Sequence, residues 1–247
     1  MFEGPRTALA SLTRLPGGRH PTDKLALTKS VPWFPVVGIL VGGLGAAVYL
    51  LASMLLSPVA AALLAVSATA LATGAFHEDG LADSFDALAG GWDKEQRLRI
   101  LQDSRLGTFG VLSLVLVTLL KVSGLAAMTD WDAAAALVAA HSLGRSGAVM
   151  LMVVAPTATE SGLAADYTRS LSWSSATAGS LIGVAMAALA FGVWGLVVVG
   201  LVSVAVGAVG WWGVVKIGGV NGDLLGAAEQ VGEVVVLLCA SALVLHA

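Results

Sequence analysis

The chain has 247 residues, of which 57% are hydrophobic and only 12% are charged. Soluble globular domains carry about 25% charged residues, so this composition excludes an ordinary soluble domain and indicates an integral membrane protein. The net charge of -3 argues against a nucleic-acid partner, which would favour a basic patch. The single cysteine, Cys239, excludes a disulfide within the chain.

Several stretches are long and apolar enough to cross a membrane, which takes about 20 such residues. They cover residues 34–56, 58–77, 110–128, 132–155, 173–191, 193–215 and 224–246. The sequence therefore predicts an all-α fold, a polytopic transmembrane helical bundle of about seven spans, with residues 1–247 as a single domain. The division near Gly192 is the weakest, but the apolar stretch around it suits two crossings better than one.

Basic residues are concentrated on one side of this arrangement. The N-terminal segment and the polar stretches 78–109, 156–172 and 216–223 hold 11 of the 13 Lys and Arg residues. Because positive residues are retained in the cytoplasm, the distribution predicts that these segments face the cytoplasm. We therefore expect a multi-pass protein of the cell (inner or plasma) membrane, surrounded by lipid bilayer, with its active site on the cytoplasmic side.

The first polar stretch, residues 77–87, begins where the second predicted span ends. On a helix, Asp79, Asp83 and Asp86 project from one narrow stripe. Carboxylates at these spacings repel one another unless a cation joins them, and hard cations such as Mg²⁺ prefer oxygen ligands. The stripe predicts a metal site, in which Glu78, directed about 100° away, is a weaker ligand candidate. The alternative is a solvated acidic helix face.

Two further polar stretches follow along the chain. In residues 103–110, Asp103 and Arg105 lie among glycines and suit a metal-bound phosphate, with the acid as ligand and the guanidinium as clamp. An ordinary Asp–Arg pair is the alternative. In residues 218–226, glycines precede Asp223, which is either an acid of a phosphate or metal site or only the N-cap of the last helix.

Charged residues also occur inside the predicted spans, where they are costly and therefore functional by default. Glu229 and Glu233 lie one helical turn apart, and so do His141 and Arg145. Arg145 is either a functional group or a structural counter-ion for one of the glutamates, and the sequence leaves both interpretations open.

Glycines indicate where backbones approach other groups closely. The spacing Gly38-x-x-x-Gly42 permits close helix packing, either within one bundle or between copies in a homo-oligomer, and the first is the simpler interpretation. Gly80 costs about 1 kcal/mol inside a helix. It is explained if a phosphate or metal ion must approach the backbone there.

Four stretches lie in a characteristic order across almost the full length of the chain: Leu12–Pro16, His77–Asp83 with Asp86, Asp103–Thr108, and Gly218–Gly226 with Glu233. Together they resemble the cobalamin synthase family, the adenosylcobinamide-GDP ribazoletransferases. The resemblance implies a Mg²⁺-dependent transfer of the adenosylcobinamide-phosphate group from adenosylcobinamide-GDP to the 5′-hydroxyl of α-ribazole. The 5′-phosphate of α-ribazole is an alternative acceptor, and GMP is released.

The resemblance also implies roles for individual residues. The metal ligands are expected to be Asp79, Asp83 and Asp86, completed by Asp103 or Asp223, with Glu78 as the weaker candidate. His77 is the candidate general base, because an imidazole titrates near neutral pH. The other catalytic candidates are Asp86, Arg105 and Glu233, and the substrate-binding candidates are Arg14, Arg105, Arg145, Asn221 and Gly222.

Two other functions deserve comparison with this one. A CDP-alcohol phosphotransferase acting on lipid requires Ala-Arg after its Asp-Gly unit, whereas here Asp79-Gly80 is followed by Leu-Ala-Asp. A cation or metabolite transporter could use the acids as a cation site. Transporters often contain paired repeats and charges near the midplane, and this sequence shows no repeat.

Overall fold

The computed structural model describes residues 3–15, 24–160, 162–168 and 171–245, which are almost entirely helical. The all-α prediction is confirmed. The described residues contain one isolated β-bridge, between Thr157 and Val220, and no β-strand. The helices are α1 (Glu3–Leu12), α2 (Lys24–Ser30), α3 (Phe34–Ser53), α4 (Pro58–Thr73), α5 (Phe76–Gly90), α6 (Lys94–Ile100), α7 (Thr108–Ala126), α8 (Asp130–Val154), α9 (Leu163–Thr168), α10 (Trp173–Phe191), α11 (Gly195–Ile217) and α12 (Gly222–Leu245).

Within the described residues, five helical stretches are each long and apolar enough to cross a membrane. The helices α4 and α5 together would make a sixth, but they meet at an angle of 91°. Because α5 carries the acidic stretch, we take α4 as the spanning part and α5 as a helix outside the spans. The five stretches are Ala26–Ser53, Thr108–Ala126, Asp130–Val154, Trp173–Ile217 and Gly222–Val244.

The 45-residue stretch Trp173–Ile217 contains two helices that run in opposite directions. It breaks at Gly192, whose positive φ of 57° is readily adopted by glycine. Along α8, the neighbours of α10 occur in reverse order and those of α11 in the same order. The prediction of two crossings is therefore confirmed, and the long helices α3, α4, α7, α8, α10, α11 and α12 agree with about seven spans. The contacts with α8 join Leu143 to Gly183, Ser146 to Ser180, Gly147 to Val206, and Leu151 to Gly210.

Helices α3 and α8 pack backbone against backbone. A Cβ on Gly38 would collide with the carbonyl group of His141, and one on Gly42 would lie 2.6 Å from the carbonyl oxygen of Leu137. The prediction that these glycines serve packing within one bundle is confirmed.

The alternation of the long helices brings the polar stretches to one end of the bundle, which we call the polar end. There, the bridge between Thr157 and Val220 joins the segment after α8 to the segment after α11. The backbone N–H of Arg14 donates to the carbonyl of Ala72, 2.8 Å away, and so holds the end of α1 against α4. The starts of α3, α7, α10 and α12 lie at the same end.

Candidate active site at the polar end

Two glycines bring α5 directly against the first turns of α12. A Cβ on Gly80 would lie 2.7 Å from the carbonyl oxygen of Asp223, and one on Gly226 would lie 3.3 Å from the Cα of His77. The space beside Gly80, which the sequence suggested for a phosphate or metal ion, is thus occupied by the backbone of α12. Gly80 is required because a side chain at this position would keep the acidic helix α5 away from the acidic start of α12.

Asp79, Asp83 and Asp223 lie where these helices cross, and we call them the aspartate cluster. Burial and then the charges of Asp79, Asp223 and Asp86 raise the pKa of the Asp83 carboxyl group to about 6. In the described parts of the chain, the ion pairs formed by Lys, Arg and His involve other acids and none of these three. Neighbouring carboxylates without a basic partner favour the binding of a cation.

The side chain of Asn221, not that of Asp223, caps α12. The Asn221 Oδ1 accepts a hydrogen bond of 3.0 Å from the backbone N–H of Leu224, and its Nδ2 donates to Asp223 Oδ2 at 2.7 Å. This is the bonding expected of an N-cap residue. The interpretation of Asp223 as a mere cap is therefore wrong, and its carboxylate belongs to the aspartate cluster.

Asp86 projects from α5 toward the start of α7. Its two carboxylate oxygens accept hydrogen bonds from the backbone N–H groups of Gly107 at 2.7 Å and Gly110 at 2.8 Å. A Cβ at either glycine would collide with or crowd the same carboxylate. Asp86 therefore fixes the loop before α7 against the acidic helix.

Asp103 and Arg105 pair with each other on the surface. The Arg105 guanidinium donates to both Asp103 oxygens, with a shortest distance of 2.6 Å, and its side chain is 88% exposed. These hydrogen bonds lower the pKa of the Asp103 carboxyl group. In this structure the pair is directed to solvent, and no contact among the described residues joins it to the aspartate cluster.

A second group of acids is buried deeper in the bundle, and we call it, with its basic partners, the buried ion network. Glu233 forms ion pairs with Lys121 at 2.5 Å and with the imidazole of His141. Arg145 lies 2.6 Å from Glu229 and 3.4 Å from Glu233. Arg145 is thus a counter-ion for both glutamates, and every carboxylate of the network has a cation beside it.

Glu78 faces the buried ion network and not the aspartate cluster, as its angular offset on the helix predicts. Its Oε1 accepts a hydrogen bond of 3.3 Å from the Gln230 side chain, which in turn accepts one of 2.7 Å from Lys121. Glu78 therefore links α5 to the network through an amide.

A cavity of about 580 Å³ opens beside the aspartate cluster, between α1, α2, α3, α5, α8, α9 and α12, and we call it the polar-end cavity. It brings together several of the residues identified from the sequence. Those that do not line it are Glu78, Asp83, Asp86, Asp103, Arg105, Asn221, Asp223 and Glu233. The identified residues that line it are Arg14, His77, Asp79, Arg145, Gly222 and Glu229.

Some residues of the site escaped sequence reasoning. Lys121, a partner of Glu233, is one of them, although its isolated charge in an apolar span was a signal for it. His141, the other partner, was identified from the sequence, but its pairing with Glu233 was not. Phe34 and Tyr167 form an edge-to-face aromatic pair on the cavity wall, with ring centroids 5.5 Å apart. Their sequence neighbourhoods offer no pattern that connects them.

A metal ion has more than one set of candidate ligands here. Among the described residues, His141, Glu229 and Glu233 could hold a metal ion, because their ligand atoms lie within 4.8 Å of one another. The oxygens of the aspartate cluster do not all lie this close to one another. The first set already has Lys121 and Arg145 as counter-ions. The aspartate cluster offers only carboxylate oxygens as metal ligands and has no basic partner among the described residues.

Comparison with known proteins places these features in a family context. A family model described as cobalamin-5-phosphate synthase matches residues 4–241. A protein of Bradyrhizobium diazoefficiens named adenosylcobinamide-GDP ribazoletransferase is 43% identical over 242 residues, which cover 96% of this chain and 92% of the relative. Proteins of the same name from Ralstonia pickettii and Klebsiella pneumoniae are 39% and 37% identical, and each alignment covers 94% of this chain and 92% and 96% of the relative. No solved structure matches the chain.

Proposed function

The chain belongs to the cobalamin-5-phosphate synthase family, and from this premise we propose that it is an adenosylcobinamide-GDP ribazoletransferase of cobalamin synthesis. It transfers the adenosylcobinamide-phosphate group to the 5′-hydroxyl of α-ribazole, or of α-ribazole 5′-phosphate. The products are adenosylcobalamin, or its 5′-phosphate, and GMP. The observation that carries this proposal is the family match over residues 4–241, which includes every polar stretch of the chain. It does not favour a lipid phosphotransferase or a transporter.

The transfer is a substitution at phosphorus. The 5′-oxygen of α-ribazole attacks the phosphorus on the cobinamide side, and a new P–O bond forms. The bond from that phosphorus to the bridging oxygen breaks, and GMP leaves with this oxygen. We assign the proton of the attacking hydroxyl to His77, which lies on the wall of the polar-end cavity together with Asp79.

We assign a Mg²⁺ site to the aspartate cluster. A bound Mg²⁺ would offset the negative charge of the pyrophosphate and of the leaving GMP. Three carboxylates without basic partners, one of them with its pKa raised to about 6, support this assignment. Asp223 completes the set better than Asp103 does, because the charge of Asp223 acts on Asp83 whereas Asp103 is paired with Arg105.

The other residues have supporting roles in this proposal. Arg14, at the cavity wall, and the exposed Arg105 are the groups that bind phosphate. Asp86 positions the loop before α7 through its bonds to two backbone N–H groups. Asn221 fixes the start of α12, and Glu233 holds the buried ion network together.

We also propose that the protein lies in the cell membrane with its polar end in the cytoplasm. The 11 Lys and Arg residues of the N-terminal segment and the three polar stretches support this orientation. The variant Lys94→Cys in a Cys239→Ala background tests it. A membrane-impermeant thiol reagent should label this variant only after the cells are opened, and efficient labelling of intact cells would overturn the orientation.

The activity is tested with purified protein in detergent. Adenosylcobinamide-GDP, α-ribazole and Mg²⁺ should give equal amounts of adenosylcobalamin and GMP, separated by chromatography. If neither product forms, whereas the protein takes up a labelled cation in vesicles or transfers a phosphate group to a lipid alcohol, the corresponding alternative function replaces this one.

A further inference from the structure

We propose that the polar-end cavity is the site of α-ribazole, with the benzimidazole base against its apolar wall and the ribose 5′-hydroxyl toward Asp79. This inference rests on the proposed function and assigns one of its two substrates to a place in the fold. The cavity volume and the two sides of its wall, one apolar and one polar, support it.

The volume of the cavity indicates which of the two substrates it can enclose. Small-molecule sites typically enclose about 300–1,000 Å³. The polar-end cavity, at about 580 Å³, matches a nucleoside such as α-ribazole. Adenosylcobinamide-GDP, which combines a corrin ring, an adenosyl group and a guanosine diphosphate, is several times larger than α-ribazole. The corrin half must therefore remain outside, and only the smaller substrate can be enclosed.

One wall of the cavity suits a flat, largely apolar base. Aromatic and aliphatic side chains from α2, α3, α8, α9 and α12 form it, and the edge-to-face pair of Phe34 and Tyr167 is part of it. Benzimidazole is an apolar bicyclic ring, so burying it there removes its surface from water. The residues of this apolar wall are Leu27, Phe34, Ala148, Met152, Tyr167 and Leu225.

The polar side of the cavity fixes the direction of the ribose. His77 and Asp79 lie on the wall, and Asp79 belongs to the aspartate cluster where the pyrophosphate is expected. A nucleoside whose base lies on the apolar wall therefore presents its 5′-hydroxyl to a general base and to the phosphorus at once. Such positioning of the two reactants lowers the entropic part of the barrier.

The substitution Ala148→Phe tests the assignment, because it adds a ring to the apolar wall without removing any polar group. We expect the KM for α-ribazole to rise at least tenfold, while the KM for adenosylcobinamide-GDP stays within twofold. The matched control is Ala242→Phe, which fills a separate apolar cavity lined by α8, α10, α11 and α12 and should leave both KM values unchanged.

A second measurement keeps the test decisive if Ala148→Phe does not fold or loses all turnover. Ala148→Cys in a Cys239→Ala background is nearly isosteric, and a small neutral thiol reagent should modify it. The unreactive analogue 5′-deoxy-α-ribazole, added together with adenosylcobinamide-GDP, should protect the thiol, whereas adenosylcobinamide-GDP alone should not.

The outcomes distinguish the site from the function. An unchanged KM for α-ribazole in Ala148→Phe, or protection of the thiol by adenosylcobinamide-GDP alone, overturns the site while wild-type turnover leaves the function intact. A wild-type protein that makes no adenosylcobalamin overturns the function, and the site assignment falls with it.

Discussion

The aspartate cluster and the buried ion network both take carboxylates from α12, yet the surroundings of these carboxylates differ. Asp223 and Glu229 are six residues apart on α12, about 9 Å along the axis. The first has an amide from Asn221 beside it, and the second has the guanidinium of Arg145 at 2.6 Å. The aspartate cluster has no basic side chain paired with it among the described residues, whereas the buried ion network contains its own basic side chains.

From this difference we propose which acids meet the substrate. A buried carboxylate without a cation would cost several kcal/mol, so Glu229 and Glu233 depend on Lys121 and Arg145 for their place in the bundle. Acids near the mouth of a cavity can instead receive a cation from solution. We therefore expect changes in the aspartate cluster to affect turnover and changes in the buried ion network to affect stability.

The largest expected effect is on turnover. Asp83→Asn should reduce it about 1,000-fold, equal to about 4 kcal/mol, because a neutral amide is a poor ligand for Mg²⁺. The rate of adenosylcobalamin formation and the melting temperature in detergent measure the two effects separately. Asp93→Asn is the matched control, since Asp93 caps α6 through the Gln96 N–H and asparagine caps equally well. Near wild-type turnover of Asp83→Asn at limiting Mg²⁺ would remove this acid from the metal site.

The next largest effect is on stability. Glu233→Gln leaves Lys121 without its carboxylate and should lower the free energy of unfolding by about 3 kcal/mol. Thermal unfolding in detergent would detect this as a lower melting temperature. Lys121→Met in the same chain removes the stranded charge and should recover part of the loss. A Glu233→Gln protein that melts like wild type but has no turnover would move Glu233 from the network into the chemistry.

A smaller effect is expected at the start of α12. Asp223→Asn should lose about 100-fold in rate, or about 2.7 kcal/mol of transition-state stabilisation. Its melting temperature should stay within a few degrees of wild type, because Asn221 supplies the cap. When the rate is measured at increasing Mg²⁺ concentrations, the variant should need more Mg²⁺ than the wild type to reach half of its maximal rate. Unchanged rates would leave Asp103 as the better candidate for the remaining carboxylate.

The smallest expected effect is a pH dependence at limiting Mg²⁺. The pKa of Asp83 is raised to about 6, so its carboxyl group takes up a proton as the pH falls through that value. A protonated carboxyl does not bind the metal, and the rate should fall about tenfold per pH unit below the pKa. Saturating Mg²⁺ competes with the proton and should shift this fall to lower pH. A profile that is the same at both Mg²⁺ concentrations would contradict the assignment.

Part of the architecture could be predicted from local patterns. The capped start of α6 at Asp93 is an example, because its hydrogen bond to Gln96 depends only on residues three apart. The end of the second span was predicted less accurately. The sequence predicted a span over residues 58–77, but α4 ends at Thr73 and the chain turns by 91° before Phe76. Gly74 and Ala75, both with positive φ, make this turn, and an alanine gives no sequence signal for it.

The sequence by itself determined the membrane bundle, the single polar end and the acidic stripe of α5, because hydropathy, charge distribution and helical periodicity are local properties. Only the tertiary structure decided which acids are compensated and which are not. Glu233 and Lys121 are 112 residues apart in the chain yet 2.5 Å apart in space. Asp223 reaches α5 because Gly80 admits the backbone of α12. Ion pairing depends on distances of a few ångströms between separate helices, and these are set by packing.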